Sequence, residues 1–66
     1  MPNKHFIYTN SLGYVKELVV CMTPNDEGKY PVTLWCRTNG EYAGSGEMTR
    51  QEINDYLEHF GVGDRI

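Results

Sequence analysis

Long apolar runs are absent from this 66-residue chain. Nothing in it approaches the roughly 18 to 20 consecutive apolar residues of a membrane-spanning helix. The opening MPNKHFIYTN shows no cleavable-signal pattern either. A soluble cytoplasmic protein with no membrane partner is the expectation. Cysteine is scarce: Cys21 and Cys36 are the only two, too few for a disulfide framework. Positive charge is also scarce. Six Lys and Arg stand against nine Asp and Glu, for a net charge of -3. The six, Lys4, Lys16, Lys29, Arg37, Arg50 and Arg65, are scattered along the chain. Binding to phosphate backbones needs a basic face, so this distribution disfavours nucleic acid as a partner. The acidic excess is too mild for a nucleic-acid mimic.

Site motifs are missing too. The stretch TNGEYAGSG holds Gly40, Gly44 and Gly46, yet it matches neither GxxxxGK[ST] nor GxGxxG. His5, His59, Cys21 and Cys36 are the only soft metal ligands, with no CxxC or HxxxH spacing among them. Neither cysteine has a neighbouring histidine to act as base, and Ser11 and Ser45 lie in no nucleophile motif. No acid, base and nucleophile set can be assembled. The expectation is a protein that is not an enzyme and takes no metal or cofactor.

What is present is a globular composition, 39% hydrophobic and 23% charged. The length allows one small domain over residues 1–66. Such a domain buries only about 60% of its unfolded surface, and self-association is one common remedy. The C-terminal segment has the fullest set of local signals. Thr49 precedes Glu52 by the capping-box spacing, and Met48 and Ile53 fall at the two positions of a hydrophobic staple. Ile53, Tyr56, Leu57 and Phe60 form one apolar stripe. Gly61 is placed to end the helix, with Val62 folding back on it. These signals predict a helix from about Arg50 to Phe60.

Strands are predicted upstream. YVKELVVCM (Tyr14 to Met22) and YPVTLWCRT (Tyr30 to Thr38) are rich in β-branched and aromatic residues, and TPNDEGK between them is turn chemistry. A further strand runs from Glu41 to about Glu47. KHFIYT (Lys4 to Thr9), set off by NSLG, is read as an additional short strand or as a segment folded across the sheet. The fold class is α+β: a small antiparallel sheet of three or four strands with the helix on one face.

Side chains alternate between faces of a strand, so register decides the surfaces. For the first of these hairpins, Val20 is set against Val32, Leu18 against Leu34 and Glu17 against Trp35. For the second, Asn39-Gly40 is the dipeptide of a two-residue type I′ turn. That turn pairs Thr38 with Glu41 and sets Gly44 and Gly46 opposite Trp35 and Thr33. One face then carries Val32, Leu34, Cys36, Ala43 and Ser45 and takes the helix. The other carries Val15, Glu17, Val19, Cys21, Thr33, Trp35, Arg37 and Tyr42. Cys21 and Cys36 point oppositely. A disulfide needs Cβ atoms about 4 Å apart, so none is expected.

The second face is the candidate site. Trp35, Tyr42 and Arg37 are the residue types that dominate binding hot spots, with Glu17, Val19 and Val15 around them. Trp and two valines are not left bare without reason. The cover is the HFIY segment, a second copy of the chain, or another protein. A second candidate is an acidic ridge of Glu47, Asp55 and Glu58, whose ordinary reading is a solvated helix face.

The β-β-β-α order with a helix opening MTRQEI is similar in outline to the arm-binding domains of phage integrases and to AP2-type DNA-binding domains. That likeness of topology implies a sheet face laid in a DNA groove. The matching face here offers Arg37 as its one cation, beside Glu17. The size also looks like that of small accessory and inhibitor proteins of phages and mobile elements, an analogy that rests on no motif. The leading expectation is a binding protein that docks a protein partner, or a homodimer, through the aromatic face. The alternatives are a nucleotide-binding homo-oligomer and a nucleic-acid binder using the open sheet.

Overall fold

The structure, a computed structural model, describes residues 2–66. Strands β1 (Asn3–Thr9), β2 (Val15–Cys21), β3 (Tyr30–Cys36) and β4 (Glu41–Met48) precede one helix, α1 (Arg50–His59). The strands form a single antiparallel sheet in chain order, β1-β2-β3-β4. The α+β expectation therefore holds, and the Lys4–Thr9 segment is part of a full strand. It does not cross the sheet. Phe6 and Tyr8 alternate inward on β1 while His5 and Ile7 face outward. β1 lies beside β2 as an edge strand, so the idea that HFIY covers Trp35 is corrected.

The first two hairpins share one loop design. In NSLGY, the Asn10 side-chain oxygen accepts from the Leu12 and Tyr14 amides, at 3.0 Å each. In NDEGK, Asn25 accepts from the Glu27 and Lys29 amides at 2.9 and 3.0 Å. In each, the Asn amide donates to the carbonyl four residues on, and the glycine amide donates back to the Asn carbonyl. Asparagine can replace a backbone turn in this way. We expect Asn10→Ala to cost about 1–2 kcal/mol, because one substitution orphans two donors. Asn10→Asp, which keeps the acceptor, should cost less. A urea melt of both variants checks the order.

α1 is framed as its sequence predicts. Thr49 caps it: its hydroxyl accepts from the Glu52 amide (3.1 Å), while the Glu52 carboxylate accepts from the Thr49 amide (2.8 Å). The helix ends at His59, with Phe60 as the cap residue. Gly61 follows in the left-handed region (φ 73°). The Val62 amide then bonds the Leu57 carbonyl and the Gly61 amide the Glu58 carbonyl, the double closure of a Schellman motif. Hydrogen bonds from the Thr49 backbone and then its hydroxyl hold the Glu52 carboxyl below its ordinary pKa. A depressed carboxylate contributes stability above its unfolded pKa and loses it as pH falls through the folded value. The capping contribution is therefore complete at neutral pH and disappears in acid, below the usual Glu range. Thr49→Ala should cost about 1 kcal/mol, and Glu52→Gln, which removes the titrating carboxylate, should flatten the acid limb of stability against pH, both measured by thermal melts.

Phe6, Leu18, Val20, Tyr30, Val32, Ile53 and Leu57 make the core between α1 and one sheet face. Val20, Ile53 and Leu57 are wholly buried. Cys36 is buried as a free thiol and Cys21 is half-buried on the opposite face.

The β2–β3 register is the expected one: Val20 pairs with Val32, Leu18 with Leu34 and Glu17 with Trp35. The β3–β4 register is not. Cys36 pairs with Glu41 and Trp35 with Tyr42, so Arg37 to Gly40 form a four-residue loop in place of a two-residue turn. The register then shifts between Trp35 and Leu34, leaving Ala43 without a partner in a β-bulge. Gly44 adopts φ 136° there. The Arg37 amide bonds the Val15 carbonyl (2.7 Å) and the Thr38 hydroxyl accepts from the Val15 amide (2.8 Å). These bonds hold Arg37 and Thr38 to the start of β2, while Asn39 does not adopt the positive φ of a type I′ turn and its side chain accepts from the Glu41 amide (3.0 Å). Gly44 and Gly46 consequently pair with Leu34 and Val32 on the helix side, not with Trp35 and Thr33. Ser45 moves to the Trp35 face.

Candidate docking face of the sheet

The face away from α1 is covered by nothing among the described residues. Two cross-strand rows organise it. Ile7, Glu17, Trp35 and Tyr42 form one, and His5, Val19, Thr33 and Ser45 the next. Val15 lies beside them, opposite Thr9. Ile7, Trp35 and Tyr42 are 53%, 40% and 57% exposed, so this row is an apolar strip in contact with solvent.

The two aromatic rings support each other. Trp35 and Tyr42 meet edge to face with centroids 5.6 Å apart. The Tyr42 hydroxyl and the Ser45 hydroxyl are 2.7 Å apart. The bulge produces this pairing, since it carries Tyr42 to the position directly across from Trp35. A Trp fixed by an edge contact and a Tyr fixed by a hydrogen bond lose little rotamer freedom on docking.

The charges on the face are satisfied within it. Glu17 sits between the His5 imidazole and the Arg37 guanidinium, with His5 Nδ1 2.7 Å from one oxygen and an Arg37 nitrogen 3.6 Å from the other. Its side chain is 18% exposed, against 53% and 51% for His5 and Arg37. Leaving a buried charge unpaired is far more costly than burying a matched set. Docking over this strip would bury an already paired carboxylate.

Trp35, Tyr42, Arg37, Glu17, Val19 and Val15 thus share one face. His5, Ile7 and Ser45 complete it and were not picked out from sequence. For β1 the signal was available: in KHFIYT the polar-apolar alternation with Phe6 and Tyr8 inside leaves His5 and Ile7 outside. The three acidic residues do not form one ridge. On α1, Glu58 is 3.8 Å from Arg65 of the C-terminal tail and Asp55 accepts from Gln51. Glu47 lies across from Pro31 on the sheet's open face, and its carboxylate accepts from Asn25.

Tyr8 and Tyr56 share a hydrogen bond between their hydroxyls under α1. Burial first, and that bond second, push the Tyr8 phenol well above its ordinary pKa, so it stays protonated and serves as a structural group. Among the described residues no three His, Cys, Asp or Glu side chains converge as a metal site, and no helix is long and apolar enough to cross a membrane. No protein-family model matches the chain, and neither the curated proteins nor the solved structures contain a significant match to it.

Proposed function

We propose that this chain is a non-enzymatic, cytoplasmic binding protein that docks a protein partner, or a second copy of itself, through the sheet face around Trp35 and Tyr42. The observation that carries the reading is the strip Ile7–Glu17–Trp35–Tyr42, which crosses all four strands and leaves Ile7, Trp35 and Tyr42 exposed. Exposed Ile7, Trp35 and Tyr42 flank a carboxylate paired with Arg37, and Trp, Tyr and Arg are the residue types enriched at interface hot spots. The action is steric: the flat face occupies or masks a surface of its partner, as an inhibitor-type protein does.

Arg37, the one arginine on this face, is directed at Glu17, which favours protein over a phosphate backbone. The test combines light scattering across a concentration series with affinity capture from the cell of origin, using the intact chain and Trp35→Ala. The expected result is a dimer, or a captured partner, that Trp35→Ala abolishes. A monomer whose captured proteins are unchanged by Trp35→Ala refutes the proposal.

A further inference from the structure

A second uncovered surface lies on the helix side. Over β1, Tyr56 and Phe60 of the C-terminal helical segment pack on Tyr8 with ring centroids 6.0 and 4.5 Å away. The C-terminal tail follows the same side. Asn54 bonds both the amide and the carbonyl of Ile66, and Lys4 Nζ donates to the Arg65 carbonyl. The β4 half of this face is left open. Gly44 and Gly46 contribute no side chain there, and a cavity of about 260 Å³ opens among Val32, Leu34, Met48 and Tyr56. A Cβ added at either glycine would meet nothing within 4 Å. Small-molecule sites usually span about 300–1,000 Å³. This one is smaller and suits one or two aliphatic side chains.

The groove adjoins an unpaired sheet edge. β4 is hydrogen-bonded on one side only. Native edges are commonly guarded by lysine, proline or a covering segment. The other edge follows that rule: β1 carries Lys4, which the tail contacts. β4, EYAGSGEM, has no lysine, arginine or proline. Its bulge interrupts the start and leaves Gly44 to Met48 regular.

Charge narrows the occupant. Glu41 and Glu47 lie on β4 and Asp55 adjoins Tyr56 on α1. Among the described residues none of these three has a cation within salt-bridge distance. Opposite charges across a strand pair are stabilising and like charges destabilising. Two copies of β4 would place four carboxylates and no cation on one ribbon.

We propose that the β4 edge and its groove accept an extended basic segment of a protein partner as a fifth strand. An aliphatic side chain of that segment sits over Gly44 and Gly46 on the helix side, and the lysines or arginines that alternate with it lie beside Glu47 on the other face. Main-chain bonds supply affinity and the groove supplies selectivity. The groove is on the opposite side of the sheet from Trp35, and neither Trp35 nor Tyr42 lines it, so the two proposals are tested separately.

The probe is a fluorescein-labelled nonapeptide with valine at alternate positions and lysine between them, followed by anisotropy. Its controls carry glutamate for lysine, or N-methylated central amides. Binding should weaken with salt and be absent for both controls. Gly46→Leu, which fills the groove at an unstrained position, should weaken it at least about tenfold, the equivalent of losing one buried aliphatic contact. Trp35→Ala should leave it unchanged. Amide exchange on the unaltered protein gives a readout independent of any variant: Gly44 to Met48 should gain protection when peptide is added. Absence of binding, equal binding by the glutamate or N-methylated peptide, protection elsewhere, or loss with Trp35→Ala alone would each overturn the proposal. Self-association of the protein that Gly46→Leu abolishes would assign the edge to a second copy and overturn it as well.

Discussion

Leu57→Ala should remove half or more of the folding stability and leave much of the protein unfolded at 37 °C. Leu57 is 0% exposed and belongs to the hydrophobic core cluster with Ile53 and the sheet residues Leu18 and Val32. Leu→Ala at such a site costs about 3–5 kcal/mol, because the lost transfer energy is joined by the cost of the cavity left behind. A domain of this length is stabilised by only about 3–10 kcal/mol in total. The nearest elements cannot close the hole, since α1 is pinned by its cap at one end and by the Val62–Leu57 bond at the other. A urea melt should show a much lower midpoint at an unchanged slope. Leu57→Met, which conserves volume, should lose less than about 1.5 kcal/mol. Equal midpoints for Leu57→Ala and the parent would mean that the helix does not anchor this sheet.

Trp35→Ala should give the reverse pattern, with a small effect on folding and a large one on docking. Trp35 is 40% exposed and its main neighbour on the face is the edge contact with Tyr42. Losing that contact is worth about 0.5–1.5 kcal/mol beyond buried area. At the centre of an interface, truncating a tryptophan typically costs 2 kcal/mol or more, at least about thirtyfold in Kd. The comparison is internal: one variant should fold nearly as the parent does and fail to associate, the other should fail to fold. A Trp35→Ala protein that unfolds as readily as Leu57→Ala would make Trp35 a structural residue and withdraw the docking role.

The helix was legible from sequence because its determinants are local. Thr49, Glu52, Gly61 and Val62 act within a few residues of one another, so their spacing alone places both ends. The β2–β3 register was legible because matching Val20 with Val32 and Leu18 with Leu34 puts like with like. The last hairpin was misread for the opposite reason. Asn39-Gly40 is a strong local turn signal, but Thr38 is bonded to Val15, 23 residues away. The wider loop keeps that bond and leaves Asn39 out of the positive-φ conformation that its dipeptide favours. From it follow the bulge, the pairing of Trp35 with Tyr42, and the move of both glycines to the helix side. The groove beside β4 was invisible in sequence because it exists only in the shifted register. For β1 the alternation was present, but strand-beside and segment-across share one pattern.

The strand order, identical to the chain order, also bears on how the molecule assembles. Every strand pairs with its sequence neighbour, so each hairpin can close over a short loop without waiting for a distant segment. Loop-closure entropy is then met in small steps, a condition that favours rapid folding. The exceptions join the chain's two ends: Tyr8 to Tyr56, 48 residues apart, and Lys4 to Arg65, 61 apart. Those contacts span nearly the whole meander, so they carry the largest loop-closure cost in the molecule.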